Sequence, residues 1–228
     1  MPTPMRDEII TPMAKVDEQP QHPPGRLSVD QSRPDGREML IDRHLPEFDE
    51  TLVRHIVVDA PTEATWQAVT SVNLMEVGDV MAIARALSWL RDLPERVGLA
   101  RNREAPPKRL TFDDLGSVPG WVKLGEDPGR ELVLGAVGKF WKPRIEWLPI
   151  DPSDFSEFAE ADYAKIAVAI SVRPYGAERA LVSYEARTAT TSDLARKRFR
   201  RYWRLIGWGA AAMMSGALKL MRRDAEAP

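Results

Sequence analysis

Two alternating apolar runs, joined by a short turn segment, constrain this chain most. In Lys165–Arg173, Ile166, Val168, Ile170 and Val172 alternate with small or polar residues. That period of two belongs to a half-buried β-strand. The segment Pro174–Glu178, PYGAE, turns the chain, and a second strand runs over Ala180–Ala189. Strands joined this tightly are antiparallel, because a parallel pair needs a crossover of a dozen or more residues. A long helix is predicted next, over Ser192–Arg223, with Leu194, Phe199, Trp203, Ile206, Ala210, Met213 and Leu220 near one stripe. Thr190 followed by Asp193 predicts a capping box at its start.

Upstream, Thr51–Asp59 (TLVRHIVVD) reads as a strand by its Val and Ile content. Ala60-Pro61 ends it, and Pro61 suits the first turn of a short helix over Thr62–Ser71 that buries Trp66 and Val69. Leu74, Val77, Met81, Ala84 and Leu87 give a second helix over Asn73–Arg91, stopped by Pro94 and followed by a polar loop at Arg101–Lys108. Trp121–Leu124 and Glu131–Trp141 flank the turn GEDPG, Gly125–Gly129, and Arg144–Leu148 forms a further strand. The order is strand, two helices, several antiparallel strands, long helix. With no βαβ alternation the fold class is α+β, not a parallel-sheet fold.

Residues 1–45 carry seven prolines and no aromatic residue. Such a segment buries too little to offset its chain entropy, so a disordered proline-rich tail is expected there, a domain over 46–224, and a disordered end over 225–228. The absence of cysteine excludes disulfides and thiolate chemistry and fits a reducing, cytoplasmic setting. A formal net charge of −2 gives the whole chain no pull toward nucleic acid. The most apolar stretch, Leu205–Leu218, falls short of the roughly 20 residues that span a bilayer.

Two motifs carry a resemblance. Ile56–Val69, IVVDAPTEATWQAV, looks like the first strand and helix of START-like (SRPBCC, polyketide cyclase-like) domains. Ser183–Ile206 resembles the last strand and helix start of a bacterial branch of that superfamily. That branch shows Glu-x-Arg, then Thr/Ser-Asp, then Phe-x-x-Tyr-Trp-x-x-Ile, here Glu185, Arg187, Ser192, Asp193, Phe199, Tyr202, Trp203 and Ile206. Gly129–Trp141 fits the same branch. The resemblance implies a helix-grip fold, in which a curved antiparallel sheet wraps the C-terminal helix around a cavity. It implies a partner that is a sterol, lipid, polyketide or other apolar small molecule, with cyclases, hydrolases or dehydratases a minority activity. The stretch Gly207–Met214 is more apolar here than in that branch.

The candidate ligand-binding residues are Phe199, Trp203, Ile206, Ala210 and Met213 on the helix stripe, Trp66, and the pair Glu185 and Arg187. The stripe serves either as core or as a cavity wall. Glu185 and Arg187 share a strand face, which is either the solvated convex side or the cavity, where they would hold a polar head or act as acid and base. Leu194–Arg223 carries nine bases and no acid. It is a solvated face neutralised by the acidic segment Asp151–Asp162, or a contact with anionic membrane. No catalytic motif is recognisable. His22, His44 and His55 form no metal motif, and GAVGK (Gly135–Lys139) lacks the spacing of a phosphate loop. Neither a metal nor a cofactor is implied.

Overall fold

The computed structural model describes residues 27–28, 38–76 and 109–227. A two-residue strand β1 (Leu27–Ser28) pairs with β2 (Glu47–Phe48). The main sheet is antiparallel and six-stranded. It contains β3 (Glu50–Val58), β4 (Trp121–Asp127), β5 (Glu131–Lys139), β6 (Glu146–Leu148), β7 (Ala164–Pro174) and β8 (Ala180–Thr190). The order across it is β3-β8-β7-β5-β4, and β6 pairs with β5 where β4 ends. Among the described residues, four α-helices accompany it: α1 (Leu40–His44), α2 (Thr62–Ser71), α3 (Phe112–Leu115) and α4 (Asp193–Ala225). An antiparallel sheet packed against one long C-terminal helix is the helix-grip arrangement.

Both faces of the sheet are covered, and strand alternation decides which side chain goes where. On the helix face, Leu132, Leu134, Ile170, Val172, Val182 and Tyr184 share one core with Val69, Val72, Phe112, Met214, Ala217, Leu218 and Met221. Each of the larger apolar side chains here contributes roughly 1.5–3 kcal/mol by leaving water. The opposite face carries a second core, in which Val133, Val137, Ala167, Ala169 and Ala189 meet Met39, Ile41, Leu45 and Phe155. This is why β5 reads as an almost unbroken apolar run: Leu132 and Leu134 face one layer while Val133 and Val137 face the other.

The strand and helix positions agree with the sequence expectation at α2, β7, β8 and α4, and three local details differ. The tail boundary at residue 45 is too late, because Met39, Ile41 and Leu45 are buried under the sheet. The buried carboxylate of Glu131 accepts from the backbone N–H groups of Leu40 (2.8 Å) and Ile41 (3.2 Å), satisfying orphan donors at the start of α1. Second, the cap of α4 is Ser192, whose hydroxyl accepts from the Ala195 N–H at 3.2 Å. Thr190 is not the cap: its hydroxyl donates to Asp49, whose carboxylate also accepts the Thr190 N–H and pairs with Arg196 at 2.9 Å. Third, β4 continues through Gly125–Asp127, so the turn is tighter than GEDPG, with Gly129 at φ 80°. Of the helix expected over 73–91, a 3-10 turn at Leu74–Glu76 is described. The rest of it, the loop at 101–108 and most of the tail lie outside the described residues.

Candidate functional site

The antiparallel register divides the helix-facing side of the sheet into rows. One row runs Tyr184–Ile170–Leu132, and all three residues are sealed beneath α2, α3 and the second half of α4. The adjacent row runs Leu52–Ala186–Val168–Leu134. Here Leu52, Ala186 and Val168 keep accessible surface, although β7 and β8 are interior strands. Ile166, one row further, is also half-buried between the buried Thr188 and Ala136. Apolar side chains at the centre of a covered sheet are normally sealed. The helix layer therefore leaves this row partly open, and the row is the candidate cleft.

The helix supplies the other wall. Phe199, Trp203, Ile206, Ala210, Met214, Ala217 and Met221 follow the three- and four-residue spacing of one face. Both ends of this stripe are anchored. Phe199 is 1% exposed, stacks on Trp203 at 5.7 Å and packs against Ala136 and Ala164. Met214, Ala217, Leu218 and Met221 close the far end. Between the anchors, Trp203, Ile206 and Ala210 are half-buried, and Ile206 and Ala210 belong to none of the three core clusters. Trp66 of α2 and Trp121 of β4 are half-buried against the same core.

In the sealed row beside this patch, one polar side chain has no partner among the described residues. Tyr184 is 7% exposed, meets Phe112 edge-on at 5.5 Å, and its hydroxyl makes no hydrogen bond. Burial pushes its phenol up to about 12, so it remains a neutral donor at any ordinary pH. Its oxygen is not among the fully buried unpaired atoms, so the ring is buried while the hydroxyl keeps some accessible surface. Tyr184 carries a signal in the sequence only as one more alternating residue of β8.

The sequence-predicted residues divide between the two sides of the sheet. Phe199, Trp203, Ile206, Ala210 and Trp66 lie on the helix side. Met213 is not on the sheet-facing stripe: it is 39% exposed, and Met214, one residue on, takes the buried position. Glu185 and Arg187 lie on the opposite side, under α1, away from the cleft. Neither alternative for them survives, since that face is buried rather than solvated. Arg187 is 2% exposed, pairs with Asp42 (2.7 Å) and Glu185 (2.6 Å), and donates to the Leu45 carbonyl (3.1 Å). Its guanidinium also stands 4.8 Å from the Phe48 ring centre. Its two Nη groups thus hold α1 and the C-cap residue Leu45 to the sheet, while Nε is engaged by Glu185 of the same strand.

Among the described residues no helix is long and apolar enough to cross a membrane. No family model matches the sequence, and no curated relative matches it. Similar solved structures include protein MLL2253 from Mesorhizobium loti, at 14% identity over 76% of this chain and 98% of that one, with a TM-score of 0.33. The di-domain ARO/CYC BexL from the BE-7585A biosynthetic pathway matches at 11% identity over 78% of this chain and 50% of its own, with a TM-score of 0.33. The Zhui aromatase/cyclase from Streptomyces sp. R1128 matches at 13% identity over 78% and 96%, with a TM-score of 0.28.

Proposed function

We propose that this protein binds an apolar small molecule between the Leu52–Ala186–Val168 row of the sheet and the Trp203–Ala210 stretch of α4. The observation that carries this reading is the open apolar patch in the middle of a sheet whose next row is sealed. Filling that patch with protein would have needed only larger residues at Ala186 and Ala210. A ligand gains by covering apolar area that the fold leaves wet, and aromatic walls from Trp203 and Trp121 suit a flat or hydrocarbon-rich body. Tyr184 supplies the polar element. Its neutral, unpartnered hydroxyl donates to a carbonyl, hydroxyl or ether oxygen on the ligand, which fixes orientation without a charge. Carriage or sensing fits this set better than catalysis by Glu185 and Arg187, which α1 and its ion pairs keep on the other side of the sheet.

The test is native mass spectrometry of the purified protein, followed by extraction of whatever co-purifies and displacement of a fluorescent apolar probe. Retention of an apolar molecule at near-stoichiometric amount, or probe uptake lost in Ala186→Leu, supports the reading. A protein that takes up no probe and co-purifies with nothing would overturn it.

A further inference from the structure

We infer that the outer face of α4 is a docking surface for an anionic lipid bilayer. On a 100°-per-residue helix, Leu194, Lys197, Arg198, Arg201, Arg204, Leu205 and Trp208 fall on one stripe, opposite the stripe anchored by Phe199 and Met221. All seven are exposed. Three of them are large apolar side chains: Leu194 at 47%, Leu205 at 69% and Trp208 at 65%. The stripe from Leu194 to Trp208 extends about 21 Å along the helix axis, so it presents a line and not a point.

Among the described residues, much of its charge is unpaired. Arg196 is engaged by Asp49 and Asp193, and Arg200 by Glu50. Lys197, Arg198, Arg201 and Arg204 have no ion-pair partner. The acidic segment Asp151–Asp162, one of the two sequence readings for this charge, meets α4 at its cap, where Ser192 donates to Asp162 at 2.9 Å, and buries Phe155 in the core on the opposite face of the sheet. Lys197, Arg200, Arg201 and Arg204 also line an open groove floored by Trp203, in which the carboxylate is that of Glu50, already met by Arg200 at 3.4 Å. Four free cations interleaved with an exposed Trp and two Leu match the chemistry of a headgroup layer. The cations meet lipid phosphates, the Trp sits at the interface, and the leucines enter the acyl boundary. A free anion would use the bases but would leave Leu194, Leu205 and Trp208 in water, and this favours a bilayer.

The surface does not depend on the cleft's being a ligand site, because Leu194, Arg198, Leu205 and Trp208 lie on the helix face opposite Phe199 and Met221. The experiment is co-sedimentation of the full chain with phosphatidylcholine vesicles, with and without phosphatidylglycerol, at low and high salt. Binding is expected only with the anionic lipid and is expected to weaken with salt. Arg201→Glu with Arg204→Glu should weaken it about tenfold or more. Leu205→Ala with Trp208→Ala should weaken it while free inorganic phosphate fails to compete. All four positions are exposed, so an unchanged thermal midpoint establishes that the variants fold. Equal binding to uncharged vesicles, no binding to either, full competition by phosphate, or indifference to both pairs of substitutions would each overturn the proposal.

Discussion

The Arg187 guanidinium and the Asp42 carboxylate meet at 2.7 Å, although 145 residues separate them in the chain. Both are buried, and together with Glu185 they tie the segment before the sheet to its interior strand β8. A buried ion pair adds little over a well-packed apolar pair, but removing one partner strands the other in a medium that solvates it poorly. Asp42→Ala should therefore cost about 3 kcal/mol, the low end of the usual range, because Glu185 remains on Arg187. Urea unfolding would show a lower midpoint with an unchanged slope. A loss below about 1 kcal/mol would mean that α1 contributes little to holding the sheet.

Tyr184 gives a prediction with two readouts of opposite sign. Its hydroxyl has no partner, so Tyr184→Phe should leave stability at neutral pH unchanged or raise it by roughly 1 kcal/mol. The phenol's folded value of about 12 stands above the ordinary value of 10.0. The fold thus favours the protonated form. That contribution is complete below pH 10 and is lost as pH rises through 12, amounting to roughly 3 kcal/mol. Tyr184→Phe should abolish this part of the alkaline loss. The same variant should weaken binding of an oxygen-bearing apolar probe by roughly three- to tenfold. A destabilised Phe variant with unaltered probe binding would mean that the hydroxyl serves the fold and not a ligand.

Phe199 and Trp203 stack on each other yet have different surroundings. Phe199 is sealed in a core cluster, and Phe199→Ala should cost about 3–5 kcal/mol. Trp203 is half-buried at the edge of the cleft, so Trp203→Ala should cost less, about 1–2 kcal/mol, while changing probe uptake. Chemical denaturation of the two variants side by side decides this. Equal losses would place Trp203 in the core proper.

Alternation in Lys165–Arg173 and Ala180–Ala189 was enough to read two central strands, and the 3.6-residue stripe was enough to read α4, because both patterns are local and repeat many times. The bounds of α2 follow from Pro61 and the helix formers behind it for the same reason. What was not legible depends on contacts distant in sequence. Nothing in Glu131 or Arg187 indicates that each will hold a segment some 90 to 145 residues earlier, so residues 38–45 read as tail. Glu185 and Arg187 could be placed together on one strand face, but which face meets α4 is set by packing and not by the strand itself. Met213 and Met214 differ by one step on a helix wheel, too fine a distinction for a stripe drawn from composition. The partly open row is a feature of register: Ala186 stands between Leu52 and Val168 on neighbouring strands, and no one of these residues announces it.

Ala186 provides the sharpest test of whether the cleft is open. Adding methylene groups to a close-packed core typically costs about 1–3 kcal/mol, because neighbours are forced off their rotamers. Ala186 is flanked in register by Leu52 and Val168, and all three keep accessible surface. If that surface borders an open cleft, Ala186→Leu fills space the fold does not use. The variant should then be as stable as the parent, or more stable by up to about 1 kcal/mol from the apolar area it covers. Its uptake of an apolar probe should fall sharply, since the added side chain occupies the ligand's place. Ala169→Leu serves as the control: Ala169 lies on the adjacent strand β7 but faces the sealed layer beneath α1, so the same enlargement there should destabilise. Thermal midpoints and probe titrations of the two variants separate the cases. Loss of stability at both positions would show a filled core on both sides of the sheet. Tolerance at Ala186 with loss at Ala169 locates the free volume on the α4 side, between the sheet and the middle of the helix.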